Sequence, residues 1–167
     1  GIPGPGVTLV GPLGVQLTGL ADALERRASV PLVMAADDLR ISYVALLDLL
    51  DRPGVLTAAL VADPLAIVEG GDRATPARVG RDGKLVESVG TAAHTVRNPT
   101  AAFPGLVRVA GADRARAAAL LRAAAPFAEP SWGPDGVAAA TLVLVRGGLP
   151  VQRHRRPRFR RPRRAHA

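Results

Sequence analysis

The seven residues Val30-Pro-Leu-Val-Met-Ala-Ala36 form an unbroken apolar run that stops on two acids, Asp37-Asp38. The run is far shorter than the roughly 20 apolar residues that span a bilayer. It is also too uniform for a strand with one wet face, which would alternate. It reads as a strand buried on both faces, the kind found where helices cover both sides of a parallel sheet. The neighbouring segments fit that scheme. Val7–Val10 is a β-prone run closed by Gly11-Pro12, and Thr18 stands as a helix cap ahead of Leu20, Ala21, Leu24 and Ala28. Ser42 caps a second helix over Tyr43–Asp51 that Pro53-Gly54 stops, while Leu56–Ala62 and Leu65–Glu69 read as strands.

Further along, Ala77–Val79 and Leu85–Val89 flank Arg81-Asp82-Gly83-Lys84. An Asp-Gly pair between such runs predicts a hairpin with a type I′ turn, whose positive φ angles glycine tolerates. Phe103–Ala110 reads as one strand interrupted by Pro104-Gly105, and Ala112–Ala125 as an alanine-rich helix carrying Arg114, Arg116 and Arg122. Asp135 caps a last helix over Gly136–Val145, ended by Gly147-Gly148. Strands alternating with helices predict an α/β fold: a three-layer sandwich with a mostly parallel sheet and a β-hairpin insertion. With five aromatic residues in the chain, its core must be built from Ala, Val and Leu.

Charge divides the chain in two. The 22 basic and 14 acidic residues leave a net +8, and eight of the arginines lie between Arg153 and Arg164 with no acid among them. The remainder, 14 basic against 14 acidic, is neutral. The expected organisation is therefore an α/β body over 1–152 and a disordered arginine-rich tail over 153–167. The tail has three readings: nucleic-acid binding with Phe159 stacking on a base, contact with anionic lipid, or the product of a slipped reading frame in GC-rich DNA. The absence of cysteine excludes disulfides and thiolate metal sites and fits a cytoplasmic protein. A first residue other than Met points to a piece of a longer product.

Asp37 and Asp38 are the residues most suggestive of chemistry. In open α/β sheets ligands bind beyond the carboxyl ends of strands, and a carboxylate there can hold Mg²⁺ against substrate phosphates. The plainer reading is a pair of solvated acids that favour the dipole of a following helix. His94, near Asn98, has no second histidine or acid at metal-ligand spacing and reads as a loop residue. No serine lies in a Gly-x-Ser-x-Gly elbow.

The second informative stretch has Ala74-Thr75, Val79, Asp82-Gly83-Lys84-Leu85-Val86 and Val89-Gly90 in that order. Together with the apolar strand ending at Asp37, over about residues 30 to 125, it resembles the sugar and polyol phosphate nucleotidyltransferases. It looks most like the cytidylyltransferase half of proteins fused to a CDP-alcohol phosphatidyltransferase, including actinobacterial members. The resemblance implies a nucleotide-diphospho-sugar transferase fold. It also implies Mg²⁺ on Asp37, with Asp38 as the other register, and attack of a sugar or polyol phosphate on a nucleoside triphosphate. Arg40, Arg73 and Lys84 are the candidates for phosphate contacts. The family's Gly-rich, basic phosphate-gripping loop has no counterpart, because Gly1–Gly14 holds glycines and prolines and the first basic residue is Arg26. The domain is thus expected to be inactive alone. A non-catalytic partner of a membrane-embedded CDP-alcohol transferase, at the inner face of the membrane, is the alternative.

Overall fold

The computed structural model describes residues 11–26, 31–36, 57–60, 75–90 and 96–154. The expected elements at Val7–Val10, Tyr43–Asp51 and Leu65–Glu69 lie outside these residues. The described chain runs α1 (Leu13–Glu25), β1 (Leu32–Ala35), β2 (Ala58–Leu60), β3 (Thr75–Val79), β4 (Val86–Val89), β5 (Ala101–Phe103), β6 (Leu106–Val109), α2 (Arg114–Ala124), α3 (Gly136–Arg146) and β7 (Gln152–His154).

The chain is α/β, with helices and two sheets, ordered β1-β6-β2-β7 and β4-β3-β5. The expectation of a mostly parallel sheet is not met. β1–β6, β2–β6, β3–β4 and β3–β5 are antiparallel, and β2–β7 is the parallel pair among the described strands. An apolar run fixes burial and not strand direction: β6 leaves the β4-β3-β5 sheet through Pro104-Gly105 and enters between β1 and β2, opposite in direction to both.

Phe103–Ala110 is therefore two strands in two sheets. At Gly105 φ is +106°, and a Cβ there would lie 2.6 Å from the Ala36 Cβ, so glycine is required both for the bend and for the approach of β1. The two sheets also join at their other ends. Val86 N–H donates to Val151 O (2.9 Å) and Arg153 N–H to Lys84 O (2.7 Å), around an antiparallel bridge between Leu85 and Gln152. The strands thus close a circuit through β6, β2, β7, β4, β3 and β5.

Burial reverses another expectation. The Val30–Ala36 run shrinks to β1, in which Met34 alone is buried, whereas all four residues of β6 are buried. β1 has one described neighbour and β6 has two, so β6 is the strand covered on both faces. One face of this sheet, with Met34, Ala59, Val107 and Val109, shares a core with Leu17, Ala21 and Leu24 of α1, Ala117, Ala118 and Leu121 of α2, and Ala139, Ala140, Val143 and Leu144 of α3. These small alanine faces let the three helices pack closely.

Helix ends show which sequence signals govern. Asp135 caps α3 as expected, its Oδ1 accepting from Ala138 N–H at 2.9 Å. The end of α3 forms a Schellman motif, with Leu149 N–H donating to Leu144 O (3.0 Å) and Gly148 N–H to Val145 O (3.1 Å). Thr18 is not a cap. α1 begins five residues earlier, behind Pro12, and the Thr18 hydroxyl donates back to Gly14 O at 3.1 Å. The alanine-rich helix narrows to Arg114–Ala124, with 3₁₀ turns at Gly111–Asp113 and Ala125–Phe127.

Two arginines of α2 hold α1. Arg114 is buried, and its guanidinium donates to Leu24 O (2.9 Å), Ala23 O (2.8 Å) and Arg26 O, capping the carbonyls that α1 leaves open at its C-terminus. Burial lowers its pKa from the usual arginine value. On the surface, Arg122 donates to Asp22 (2.5 Å) and to both Glu25 oxygens (2.8 and 2.7 Å). The hydrogen bond from Arg122 holds the Glu25 carboxyl below its ordinary range. A depressed carboxyl pKa contributes stability above the unfolded-state value, and that stability is lost as pH falls through the folded-state value. Acid unfolding of the wild type should accordingly show a step at or just below the ordinary glutamate range. Arg122→Ala should remove that step, as should 1 M salt, because the cluster is exposed. A step of equal size in the variant would refute the assignment.

Candidate functional site at the carboxyl end of the sheet

β1 and β2 both run antiparallel to β6, and β7 runs parallel to β2, so β1, β2 and β7 point the same way. Their carboxyl ends share one rim. Ala35 pairs with Leu106, and Ala59 with Val107, which sets Leu60 beside Leu106 one step on. Leu60 in turn pairs with His154. One transverse row thus runs from Ala35 through Leu106 and Leu60 to His154, across three strand spacings of about 4.8 Å, or about 14 Å.

Past that row β1 is anchored. Ala36 N–H donates to Gly105 O at 2.8 Å, which ties the last described residue before Asp37 to the bend ahead of β6. The opposite end of the sheet is closed by its own polar groups. The buried Thr57 hydroxyl donates to Asp113 Oδ2 (2.8 Å) and accepts from Ala110 N–H (3.1 Å). This rim gathers the carboxyl ends of β1, β2 and β7 with the amino end of β6.

The hairpin reaches the same side. Because β4 runs antiparallel to the end of β7, the turn joining β3 to β4 lies toward the carboxyl end. This turn is not the two-residue type I′ form. It is a four-residue loop in which Gly83 N–H donates to Gly80 O (2.9 Å) and Gly80 N–H to Leu85 O (2.9 Å). The positive φ falls on Gly83 (71°) alone, not on Asp82. Asp82 instead accepts from Lys84 N–H through Oδ1 at 3.0 Å. Arg78 braces the base of the hairpin, donating to Glu87 Oε2 (3.1 Å) and to the carbonyls of Arg97 and Asn98.

Of the residues singled out from the sequence, Lys84 is described, exposed on this loop and one strand beyond β7. Its strand comes fourth after β1 along β1-β6-β2-β7-β4, the last step being the Leu85–Gln152 bridge. Asp37, Asp38, Arg40, Arg73 and His94 lie outside the described residues. Among the described residues no group of three or more His, Cys, Asp or Glu is arranged to hold a metal ion. The sequence marked Pro104-Gly105 as an interruption within one strand and not as the passage between two sheets. It also assigned Arg153 and His154 to the tail, whereas both are strand residues of β7 and His154 is buried.

Two grooves lie elsewhere. An open one of about 650 Å³ runs along the hairpin flank, lined by Arg81, Asp82, Glu87, Leu149 and Pro150 among others. A smaller one of about 310 Å³ lies between α2 and α3, with Leu120, Trp132, Leu142 and Arg146 on its walls. Trp132 is partly buried and packs against the core. No helix among the described residues is long and apolar enough to cross a membrane. The chain matches no protein-family model, no curated protein and no solved structure.

Proposed function

We propose that this chain is a nucleotidyltransferase-like domain. In this reading it has a three-layer nucleotide-diphospho-sugar transferase fold, serves CDP-alcohol phospholipid head-group synthesis, and binds a nucleoside triphosphate at the carboxyl rim of the β1-β6-β2-β7 sheet. The observation that carries the reading is the anchoring of β1. The chain reaches Ala36 at that rim, bonded to Gly105, and the next two residues are acids. Adjacent aspartates offer the hard oxygen donors that Mg²⁺ prefers, with phosphate oxygens completing its shell. When bound, Mg²⁺ neutralises charge on the phosphates and on the leaving pyrophosphate.

The chain's own residues then divide the work. Asp37, with Asp38, would hold the metal and through it the triphosphate. Arg40, Arg73 and Lys84 would be the candidates to neutralise phosphate oxygens. The reaction of this class forms a bond from a sugar or polyol phosphate oxygen to the α-phosphorus. It breaks the α–β bridging P–O bond and releases pyrophosphate. With no basic residue before Arg26, turnover by this chain alone should be slow or absent.

Calorimetry with CTP and UTP tests the proposal. Binding should require Mg²⁺ and should fall at least tenfold in Asp37→Asn/Asp38→Asn. No heat at millimolar nucleotide would overturn it. Binding without pyrophosphate release, when sugar or polyol phosphates are added, would favour the non-catalytic partner role.

A further inference from the structure

We infer that the groove between α2 and α3 binds a small carboxylate with an apolar tail, the tail against the walls and the head at Arg146. The inference is independent of the nucleotide reading. Helical spacing builds the walls. Leu120, Ala123 and Ala124 stand at i, i+3 and i+4 on α2, hence on one face, and Leu142 and Arg146 stand one turn apart on α3. Trp132, from the 3₁₀ turn Pro130–Trp132 that precedes α3, completes the lining. The two alanines leave space that longer side chains would fill. Gly147 brings the end of α3 directly onto α2, since a Cβ there would lie 2.6 Å from Leu120 Cδ2. The groove holds about 310 Å³. Small-molecule sites start at about 300 Å³ and combine apolar walls with a few polar groups that fix orientation. A protein partner would need a face of about 800 Å² instead.

Charge decides which ligand fits. Among the described residues that line the groove there is no Asp or Glu. The guanidinium of Arg146 is exposed and makes no hydrogen bond or ion pair with the described residues. A second guanidinium, of Arg116, reaches the adjoining residue and donates to Gly147 O at 3.3 Å. A helix C-terminus ordinarily disfavours an anion, because its open carbonyls are negative. Here those carbonyls are engaged. Val143 O accepts from Gly147 N–H (2.8 Å), Leu144 O from Leu149 N–H (3.0 Å) and Val145 O from Gly148 N–H (3.1 Å), while Arg116 takes Gly147 O. The net field at that end of the groove is therefore positive. A cationic ligand would meet like charge, and an uncharged one would gain nothing from Arg146. A carboxylate gains the paired N–H donors of the arginine fork, while its tail leaves water for the apolar walls.

Trp132 is the only tryptophan in the chain and lines the groove, so its emission reports on occupancy. The test titrates the full chain with sodium octanoate, and with 1-octanol as the uncharged match. Octanoate should shift the emission saturably. It should bind about fivefold more tightly than 1-octanol, the upper end for an exposed ion pair. Arg146→Gln should weaken octanoate by about the same factor and leave 1-octanol unchanged. Ala123→Glu, which fills the groove and adds a negative charge at an exposed helix position, should abolish the response. An unchanged urea midpoint should show that each variant is intact, and Arg146→Gln carries the test alone if Ala123→Glu does not fold. No saturable response to millimolar octanoate would overturn the inference. Equal binding of 1-octanol and octanoate would mark the groove as an apolar cleft without a carboxylate site. Undiminished octanoate binding by Arg146→Gln would place the head elsewhere. Loss of the octanoate response on adding Mg²⁺–CTP would give the groove to the nucleotide. Each of these three results would also overturn it.

Discussion

Replacing Arg114 with leucine should cost the domain about 3–4 kcal/mol of stability, read as a lowered midpoint of urea unfolding. Its side chain is buried and donates to three carbonyls at the end of α1. Leucine fills a similar volume but takes the guanidinium from all three carbonyls, of which Ala23 O keeps its bond from Arg26 N–H (3.3 Å). Each buried polar group stripped of its partner costs about 1–3 kcal/mol, and charged donors lie at the upper end. Water can reach part of the site, so the sum falls below three full penalties. Arg114→Lys keeps the charge but loses the fork that serves several carbonyls at once, and should recover less than half of the loss. A loss below 1 kcal/mol for Arg114→Leu would show that the α1 end is capped by other means.

Gly105→Ala should have an effect of similar size through a different route. The residue has φ +106°, which strains any side chain by about 1–3 kcal/mol. The new Cβ would also lie 2.6 Å from the Ala36 Cβ, a contact that neither backbone can yield without breaking the Ala36–Gly105 hydrogen bond. The two contributions can be separated. Gly105→Ala/Ala36→Gly removes the collision but keeps the φ strain, so it should restore part of the lost stability and not all. Full restoration would mean that the backbone at 105 relaxes freely. Because this contact fixes where β1 ends, Gly105→Ala should also weaken Mg²⁺–CTP binding more than Arg114→Leu does.

Local signals were legible in the sequence where one residue does one local job. Asp135 was identifiable as a cap because its carboxylate bonds within three residues. Gly147-Gly148 was identifiable as a stop, and Asp82-Gly83 as a turn. Long-range pairing was not legible. An apolar run such as Val30–Ala36 looks the same at a sheet edge as at its centre, and nothing within it tells which strand will lie beside it. Phe103–Ala110 shows the same limit. Pro104-Gly105 reads locally as an interruption, yet it sends the chain from one sheet to the other. Composition also misled at the body–tail boundary, since Arg153 and His154 belong by charge to the tail but pair with Ala59 and Leu60 as strand residues. For the site, the acids after β1 were visible from the sequence. The bend at Gly105 that fixes where they begin came only with the fold.

The most direct measurement is paramagnetic broadening of backbone amide signals by Mn²⁺ in place of Mg²⁺, with CTP present. A metal held at Asp37-Asp38 should broaden Ala36, Gly105 and Leu106 strongly and His154 less. Thr57, Val109 and Ala110, at the closed end of the sheet, should stay sharp. Broadening confined to the hairpin loop or the arginine run, or spread evenly over both ends, would contradict a nucleotide site at the carboxyl rim.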